Sequence, residues 1–321
     1  MSSPVLDIRD LRKHFPLDDG GLGFGRRRAV HAVDGVSFTL GRGETLGLVG
    51  ESGCGKSTLG RLVLRLIEPS SGSVRVAGVE LAGLSRRKLH AMRRQMQIIF
   101  QNPMGSLNPR MRVAEAVAEP LRAYGVGNRA ARLAEARRLL TLVGLDPAQA
   151  GRFPHEFSGG QRQRIAIARA IALRPTLVVC DEAVSALDVS IQAQILNLLR
   201  DLQQEFGFAY LFISHDLSVI RHVSDRVAVM YLGQIVELAP ADALFAAPRH
   251  PYTQALLSSV PVTAPDQRRS RPPLYGSVPS PIDLPAGCRF RDRCAQAMPR
   301  CAIAAPVLSG GLHAVACHLY D

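Results

Sequence analysis

Lysine is nearly missing from this chain. Lys13, Lys56 and Lys88 stand among 39 basic residues, so arginine carries almost all of a net charge of +12. Aromatic residues make up only 5% of the chain, and the arginines are scattered. A basic stripe interleaved with aromatics, which a single-strand nucleic-acid binder needs, is therefore lacking. Scattered positive charge also suits a protein lying against an anionic membrane leaflet. No apolar run is long enough to span a bilayer, because charge or glycine breaks the longest stretches. The N-terminus lacks the basic, apolar, small-residue order of a secretory signal. A cytoplasmic protein with reduced thiols is expected. Cysteine too is scarce until late. Cys54 and Cys180 come first, and Cys288, Cys294, Cys301 and Cys317 then crowd into the last 34 residues.

The chain has 321 residues and a 47% hydrophobic fraction, which excludes disorder throughout and leaves room for one large domain plus an appendage. The strongest local signal is GESGCGKST, comprising Gly50, Glu51, Ser52, Gly53, Cys54, Gly55, Lys56, Ser57 and Thr58. The apolar run ETLGLV before it reads as a buried strand, and TLGRLVLRLI after it has helical spacing. Strand, glycine-rich loop and helix form the setting in which backbone N–H groups and a helix N-terminus cradle phosphates. Lys56 is placed to reach the β- and γ-phosphates, and Ser57 to ligate Mg²⁺. Cys54 reads as a small residue tolerated in the loop.

TLVVCDEA, from Thr176 to Ala183, reads as a second buried strand that runs into two carboxylates. Asp181 is placed to hold Mg²⁺, and Glu182 to take a proton from an attacking water. Cys180 inside that strand reads as packed rather than reactive. FSGGQRQRIAIARAI, from Phe157 to Ile171, begins a helix, with Ser158 as its N-cap and Gly159 and Gly160 opening backbone N–H groups to an anion.

This last motif resembles the signature of ABC ATPases, although the family usually begins it with Leu rather than Phe. The resemblance implies that Ser158, Gly159, Gly160 and Gln161 meet the ATP held by a second ATPase subunit. It further implies that Gln101 in IIFQNP is the Q-loop glutamine and a Mg²⁺ contact, that Asp188 closes the D-loop SALD, and that His215 in LFISHD is the switch histidine. Phe15 in LRKHFP is either the adenine-stacking aromatic or a core phenylalanine.

The expected fold class is α/β, a P-loop NTPase of the ABC ATPase type. VLDIRDL and AVDGVSFTL alternate like strands of an antiparallel β-subdomain. Strands and helices alternate from Glu44 onward. VAEAVAEPLRAYG and RAARLAEARRLLTLVGL carry helical spacing, as expected for a helical signature subdomain at about 102–160. VSIQAQILNLLRDLQQEFG reads as one helix that starts after Asp188 and ends at Gly207. Residues 1–250 are expected to form the ATPase domain, and 251–321 a small Cys-rich extension. After about Ser259 that extension continues as a connector holding seven prolines from Pro261 to Gly287.

FQNPMGSLNPRM, SALDVSIQAQILNLL, HPYTQALLSSVP and GCRFRDRC…VACHLY together resemble the ATP-binding subunits of dipeptide/oligopeptide ABC importers. One departure is Ala183, where that family usually has proline. The resemblance implies an ATP hydrolase coupled to peptide import, peripheral at the cytoplasmic face of the inner membrane. The implied partners are a second ABC ATPase subunit in a heterodimer, two transmembrane permeases and, indirectly, a substrate-binding protein, with no nucleic acid. A groove at Gln101 and the helical subdomain would receive a permease. Nickel, glutathione or sugar cargo are alternatives. A soluble ABC ATPase acting on nucleic acid is a more remote one, since the chain has no long coiled coil and only one ATPase module.

The four late cysteines have five, six and fifteen intervening residues. A proline-led segment with little apolar content cannot bury its own core, so a metal centre is expected to supply folding energy. Close CxxC pairs, usual in structural zinc sites, are lacking, and wider spacing suits a cubane. Similar extensions in peptide-importer ATPases imply a [4Fe-4S] cluster. Zn²⁺ is the alternative, with His313 and His318 as substitute ligands or His318 packing beside the site.

Overall fold

The computed structural model describes residues 3–17, 28–258 and 279–321. The glycine-rich insertion after Phe15 and most of the proline-rich connector lie outside these residues. In chain order the strands are β1 (Leu6–Pro16), β2 (Ala29–Leu40), β3 (Thr45–Val49), β4 (Ser71–Val76), β5 (Val79–Glu80), β6 (Met96–Phe100), β7 (Leu177–Asp181), β8 (Ala209–Ile213), β9 (Arg226–Tyr231), β10 (Gln234–Pro240) and β11 (Ala314–Val315). The helices are α1 (Lys56–Val63), α2 (Arg86–Arg93), α3 (Pro103–Ser106), α4 (Val113–Ala123), α5 (Arg129–Leu142), α6 (Gly159–Ile171), α7 (Val189–Phe206), α8 (Leu217–Val223), α9 (Ala241–Ala246), α10 (Pro251–Ser258) and α11 (Pro299–Ile303).

Two compact units are assembled from separated segments: Met1–Leu6, Thr39–Thr45 and Arg75–Ile213 form the first, and Asp7–Phe38, Leu46–Val74 and Ser214–Asp321 the second. In the first unit β6, β7 and β8 are parallel, with Phe100 opposite Asp181 and Asp181 opposite Ile213. Every residue of β7 and β8 is buried, as a parallel strand covered on both faces requires. The helical segment from α4 to α6 belongs to this unit. α7 runs between the two caps read from the sequence. Asp188 Oδ1 accepts from Ile191 N at 3.0 Å, and Gly207 ends the helix at φ 71°.

In the second unit β3 runs parallel to β9, β9 antiparallel to β10, and β10 antiparallel to β11. The helix expected after the P-loop through Ile67 is shorter in the structure. It stops at Val63, and Arg65 turns left-handed at φ 47°. The cysteine segment buries its apolar groups in a core that it shares with residues earlier in the chain. Phe290 is buried against Tyr231, Tyr252 and His250, with ring centroids 5.3, 5.4 and 5.7 Å away. Ala314 and Val315 pair with Leu238 and Glu237 as an added sheet strand. The extension thus shares an apolar core with the P-loop unit. His250 sits in that core with its pKa lowered by burial to about 4, and its Nδ1 accepts from Tyr252 N at 3.0 Å.

Candidate functional site

The loop Gly50–Gly55 leaves β3 and enters α1 at Lys56. Gly50 and Gly55 adopt φ values of 154° and 110°. A Cβ there would overlap the Met230 carbonyl oxygen at Gly50 and the Ala32 carbonyl oxygen at Gly55, so only glycine fits. Gly55 caps α1 without a side chain, and no acidic residue occupies the first turn. That helix N-terminus is arranged to favour an anion. Lys56 is buried, and its Nζ donates to the carbonyls of Gly50 at 2.8 Å and Glu51 at 2.9 Å. Cys54 is buried in the loop with its thiol pKa raised by burial.

His215 is exposed in the same unit. It follows Ser214, whose N–H donates to the Leu48 carbonyl one residue before the end of β3. Phe15 near the end of β1 is 38% exposed, with Lys13 Nζ 4.8 Å from its ring centroid. Phe15 is thus a surface residue rather than a core one, and the Lys13 ammonium already lies over its ring.

The other motif residues lie in the first unit. Asp181 ends β7 and is buried. Glu182 follows at φ 51°, with its N–H donating to the Ile213 carbonyl at 3.0 Å. Its carbonyl accepts from Ser185 N at 3.2 Å and Ser185 Oγ at 3.1 Å. Gln101, just beyond β6, donates from Nε2 to Ser185 Oγ at 3.0 Å. Gln101, Glu182 and Ser185 are thus joined in one hydrogen-bonded corner. Sequence reading missed Ser185 as the hinge of that corner, although it lies inside SALD. Cys180 is fully buried with its thiol pKa raised by burial, as a packing residue should be.

Ser158 caps α6 in a reciprocal box. Its Oγ accepts from Gln161 N at 3.3 Å, and Gln161 Oε1 accepts from Ser158 N at 3.0 Å. A Cβ on Gly160 would overlap Cγ2 of Ile191 in α7, so Gly160 brings α6 and α7 close together. Asp188 caps α7 through Oδ1, which accepts from Ile191 N and Ser190 Oγ, and the backbone hydrogen bond from Ile191 holds its pKa below the usual carboxylate range. A cleft of about 230 Å³ opens nearby between β6 and the helices, lined by Gln97, Phe100, Ser106, Glu119, Tyr124 and Arg169 among others. Gln101 itself is not part of its lining.

A family model described as ABC transporter matches residues 33–185, and one described as oligopeptide/dipeptide transporter, C-terminal region, matches residues 236–301. A probable peptide ABC transporter ATP-binding protein of Sinorhizobium fredii is 54% identical, covering 99% of this chain and 91% of its own. The chain belongs to the ATP-binding proteins of peptide ABC transporters. An oligopeptide transport ATP-binding protein of Bacillus subtilis is 52% identical, covering 99% of this chain and 98% of its own. Among solved structures, an ATP-binding cassette dimer in a post-hydrolysis state bound to ADP and Pi has a TM-score of 0.65 and 27% identity, covering 74% of this chain and 98% of its own. A Clostridium perfringens protein that is part of an ABC transporter complex has a TM-score of 0.66 and 25% identity, covering 77% of this chain and 92% of its own. The α/β ABC ATPase fold and an ATP hydrolase coupled to transport follow for this chain. Among the described residues of this ABC ATPase, no helix is long and apolar enough to cross a membrane.

Two features of this ABC ATPase had no signal in its sequence. Asp34 is a hub. Oδ1 accepts from Arg12 Nη1 at 2.6 Å and faces His14 Nε2 at 3.1 Å, while Arg289 pairs with Oδ2. Burial alone would raise the Asp34 pKa, but Arg289, His14 and Arg12 together hold it below the usual range. His14, His31 and Asp34 form the one set of three metal-type ligand atoms within 4.8 Å of one another among the described residues. Two guanidinium groups already occupy the carboxylate, so the set reads as an ion-pair hub. The second feature is the ion pair of Arg293 with Glu51.

The four cysteines of the extension come near one another without closing on a point. Burial pushes the Cys288 thiol up to about 11, with Cys301, Cys317 and Cys294 adding to the rise. Burial likewise raises Cys294, with Cys301 adding, and Cys317, with Cys294 and Cys301 adding. Cys288 N donates to the Cys301 carbonyl at 2.8 Å. No three of these sulfurs lie within 4.8 Å of one another. His318 has both ring nitrogens engaged, and His313 has its Nε2 engaged. His318 Nδ1 meets Asp321 at 2.6 Å and its Nε2 the Ala304 carbonyl at 2.9 Å, while His313 Nε2 meets Glu237 at 2.7 Å.

Proposed function

We propose that this protein powers the import of dipeptides or oligopeptides as a peripheral subunit at the cytoplasmic face of the inner membrane. The observation that carries this reading is the full-length likeness to peptide-transport ATP-binding proteins, extending through the C-terminal region. In this reading the backbone of Gly50–Thr58 and Lys56 hold the triphosphate, Ser57, Asp181 and Gln101 hold Mg²⁺, and Phe15 stacks on adenine. Glu182 is the general base, and His215 contacts the γ-phosphate end. Ser158, Gly159, Gly160, Gln161 and Asp188 face the nucleotide of a second ATPase subunit, a sibling chain in a heterodimer. The cleft beside β6 receives a cytoplasmic helix of one of two permeases, and a substrate-binding protein delivers cargo. ATP-driven closure of the pair then switches the permeases between states. Reconstituted with its permeases and sibling ATPase, the protein is expected to support ATP-dependent peptide uptake. Uptake of nickel, glutathione or sugar with no peptide uptake would overturn the peptide assignment, and full activity with this ATPase alone would overturn the heterodimer.

The extension's thiols also bear on a metal. Four thiolates around one tetrahedral zinc at about 2.3 Å would stand about 3.8 Å apart. The five, six and fifteen residues between Cys288, Cys294, Cys301 and Cys317 suit the separated corners of a cubane, and with the family likeness of the extension this is the reading in which these four would hold a [4Fe-4S] cluster. The cluster would supply structural cross-linking of the extension. Anaerobic purification should give a brown protein with about four irons per chain. Stoichiometric zinc without iron would overturn the cluster and leave the four-thiolate zinc site.

A further inference from the structure

The second residue of the P-loop is gripped by a part of the chain that lies more than two hundred residues away. Arg293 Nη1 and Nη2 donate to the two carboxylate oxygens of Glu51 at 2.7 and 3.0 Å, a bidentate fork. Tyr252 Oη accepts the Glu51 N–H at 2.8 Å, and Lys56 Nζ donates to the Glu51 carbonyl at 2.9 Å. Side chain, N–H and carbonyl of one loop residue are therefore all held. Arg293 is 6% exposed at its side chain, and its guanidinium lies 5.9 Å from the ring centroids of both Tyr231 and Phe290. Those rings belong to the aromatic core that the extension shares with the P-loop unit. Burying an ion pair costs desolvation on both partners, so one placed here is poor as a general stabiliser. It has a local use. The Glu51 carboxylate sits on a loop shaped for an anion, and Arg293 both cancels that charge and fixes its direction.

We propose that Arg293, together with Tyr252, is a positioning residue for nucleotide binding, so that the C-terminal extension sets the shape of the P-loop. Both residues lie outside the 33–185 stretch matched by the general ABC transporter model. The brace is thus an addition to the shared ATPase machinery, and it rests on the P-loop reading given above.

The test is MgATP affinity of the full chain by direct binding, with kcat and KM in the assembled transporter. Arg293→Ala should weaken MgATP about tenfold in Kd and raise KM alike, while kcat at saturating ATP stays within about twofold. Arg293→Lys should fall between, because an ammonium keeps charge but loses the fork. Glu51→Gln should also weaken binding, and the double variant should be no weaker than Arg293→Ala, since both remove one pair. Arg291→Ala is the control: among the described residues the Arg291 side chain bonds within the extension, to Asp292 and to the carbonyls of Ala286 and Ala302, and its loss should leave Kd unchanged. Wild-type affinity in Arg293→Ala, multiplying effects of Arg293→Ala and Glu51→Gln, or an equal loss in Arg291→Ala would each overturn the brace. If Arg293→Ala fails to fold, Arg293→Lys carries the same comparison. A wild-type chain without MgATP affinity would overturn the P-loop reading and the brace with it, which separates the two failures.

Discussion

Glu182→Gln is expected to leave MgATP binding intact while slowing steady-state hydrolysis in the assembled transporter at least ~100-fold, the range of a lost general base. Glu182 is the carboxylate next to Asp181 at the end of a strand buried along its whole length. Its backbone is fixed by the Ile213 carbonyl on one side and by Ser185 N and Oγ on the other. The residue is held at φ 51°, a conformation that costs a non-glycine residue about 1–3 kcal/mol and is kept only when its surroundings dictate it. Gln keeps the size and the backbone contacts, so the corner with Gln101 should survive. What it loses is the capacity to take a proton. ATP should then be bound and not turned over, and the ATPase pair should accumulate closed. The check is single-turnover and steady-state phosphate release, with nucleotide retention measured in parallel. Wild-type turnover in Glu182→Gln would remove Glu182 from its role.

Lys56→Ala should act earlier, on binding itself. Hydrogen bonds to a charged group contribute about 1.5–3 kcal/mol each, so losing the ammonium should weaken MgATP on the order of a hundredfold. In the described structure the ammonium bonds the Gly50 and Glu51 carbonyls from inside the loop. Its removal leaves both acceptors without that donor and takes away the one charge aimed into the P-loop from its own helix. Equilibrium binding of MgATP to the full chain measures this directly, and far-ultraviolet circular dichroism checks that the fold persists. Binding within about twofold of wild type would show that the loop amides alone carry the phosphates. The two variants separate binding from chemistry: Lys56→Ala loses the first, and Glu182→Gln keeps it and loses the second.

Much of the site was legible because its chemistry is local. Gly50 to Ser57 read as a phosphate loop since the turn and the helix N-terminus are built from adjacent residues. Ser158 and Gln161 read as a helix start because a capping box closes over three residues, and the structure contains it. Asp188 and Gly207 bound α7 for the same reason. The short strands β7 and β8 were readable as continuous apolar runs, since both faces of a parallel strand are covered.

Other features depend on where distant segments meet. Helical spacing ran on to Ile67, yet Arg65 turns out of the helix at φ 47° and ends it early. Periodicity records which faces are apolar, and it does not record where the chain must turn back. Phe15 could not be told from a core residue by its type, and only the packed structure leaves it exposed. The cysteine segment was too poor in apolar residues to bury a core by itself, and the rings that cover its Phe290, those of Tyr231 and Tyr252, lie outside that segment.

By itself, then, the sequence determined a nucleotide-binding ATPase of the ABC type, its strand–loop–helix chemistry and the family-like extension, because each rests on groups within a few residues of one another. Tertiary structure alone decided that Arg289 pairs with Asp34 and Arg293 with Glu51, partners 255 and 242 residues apart. An arginine's reach is a few ångströms, while the path that brings its carboxylate within that reach is set by the packing of the whole unit. No spacing rule along the chain contains that information.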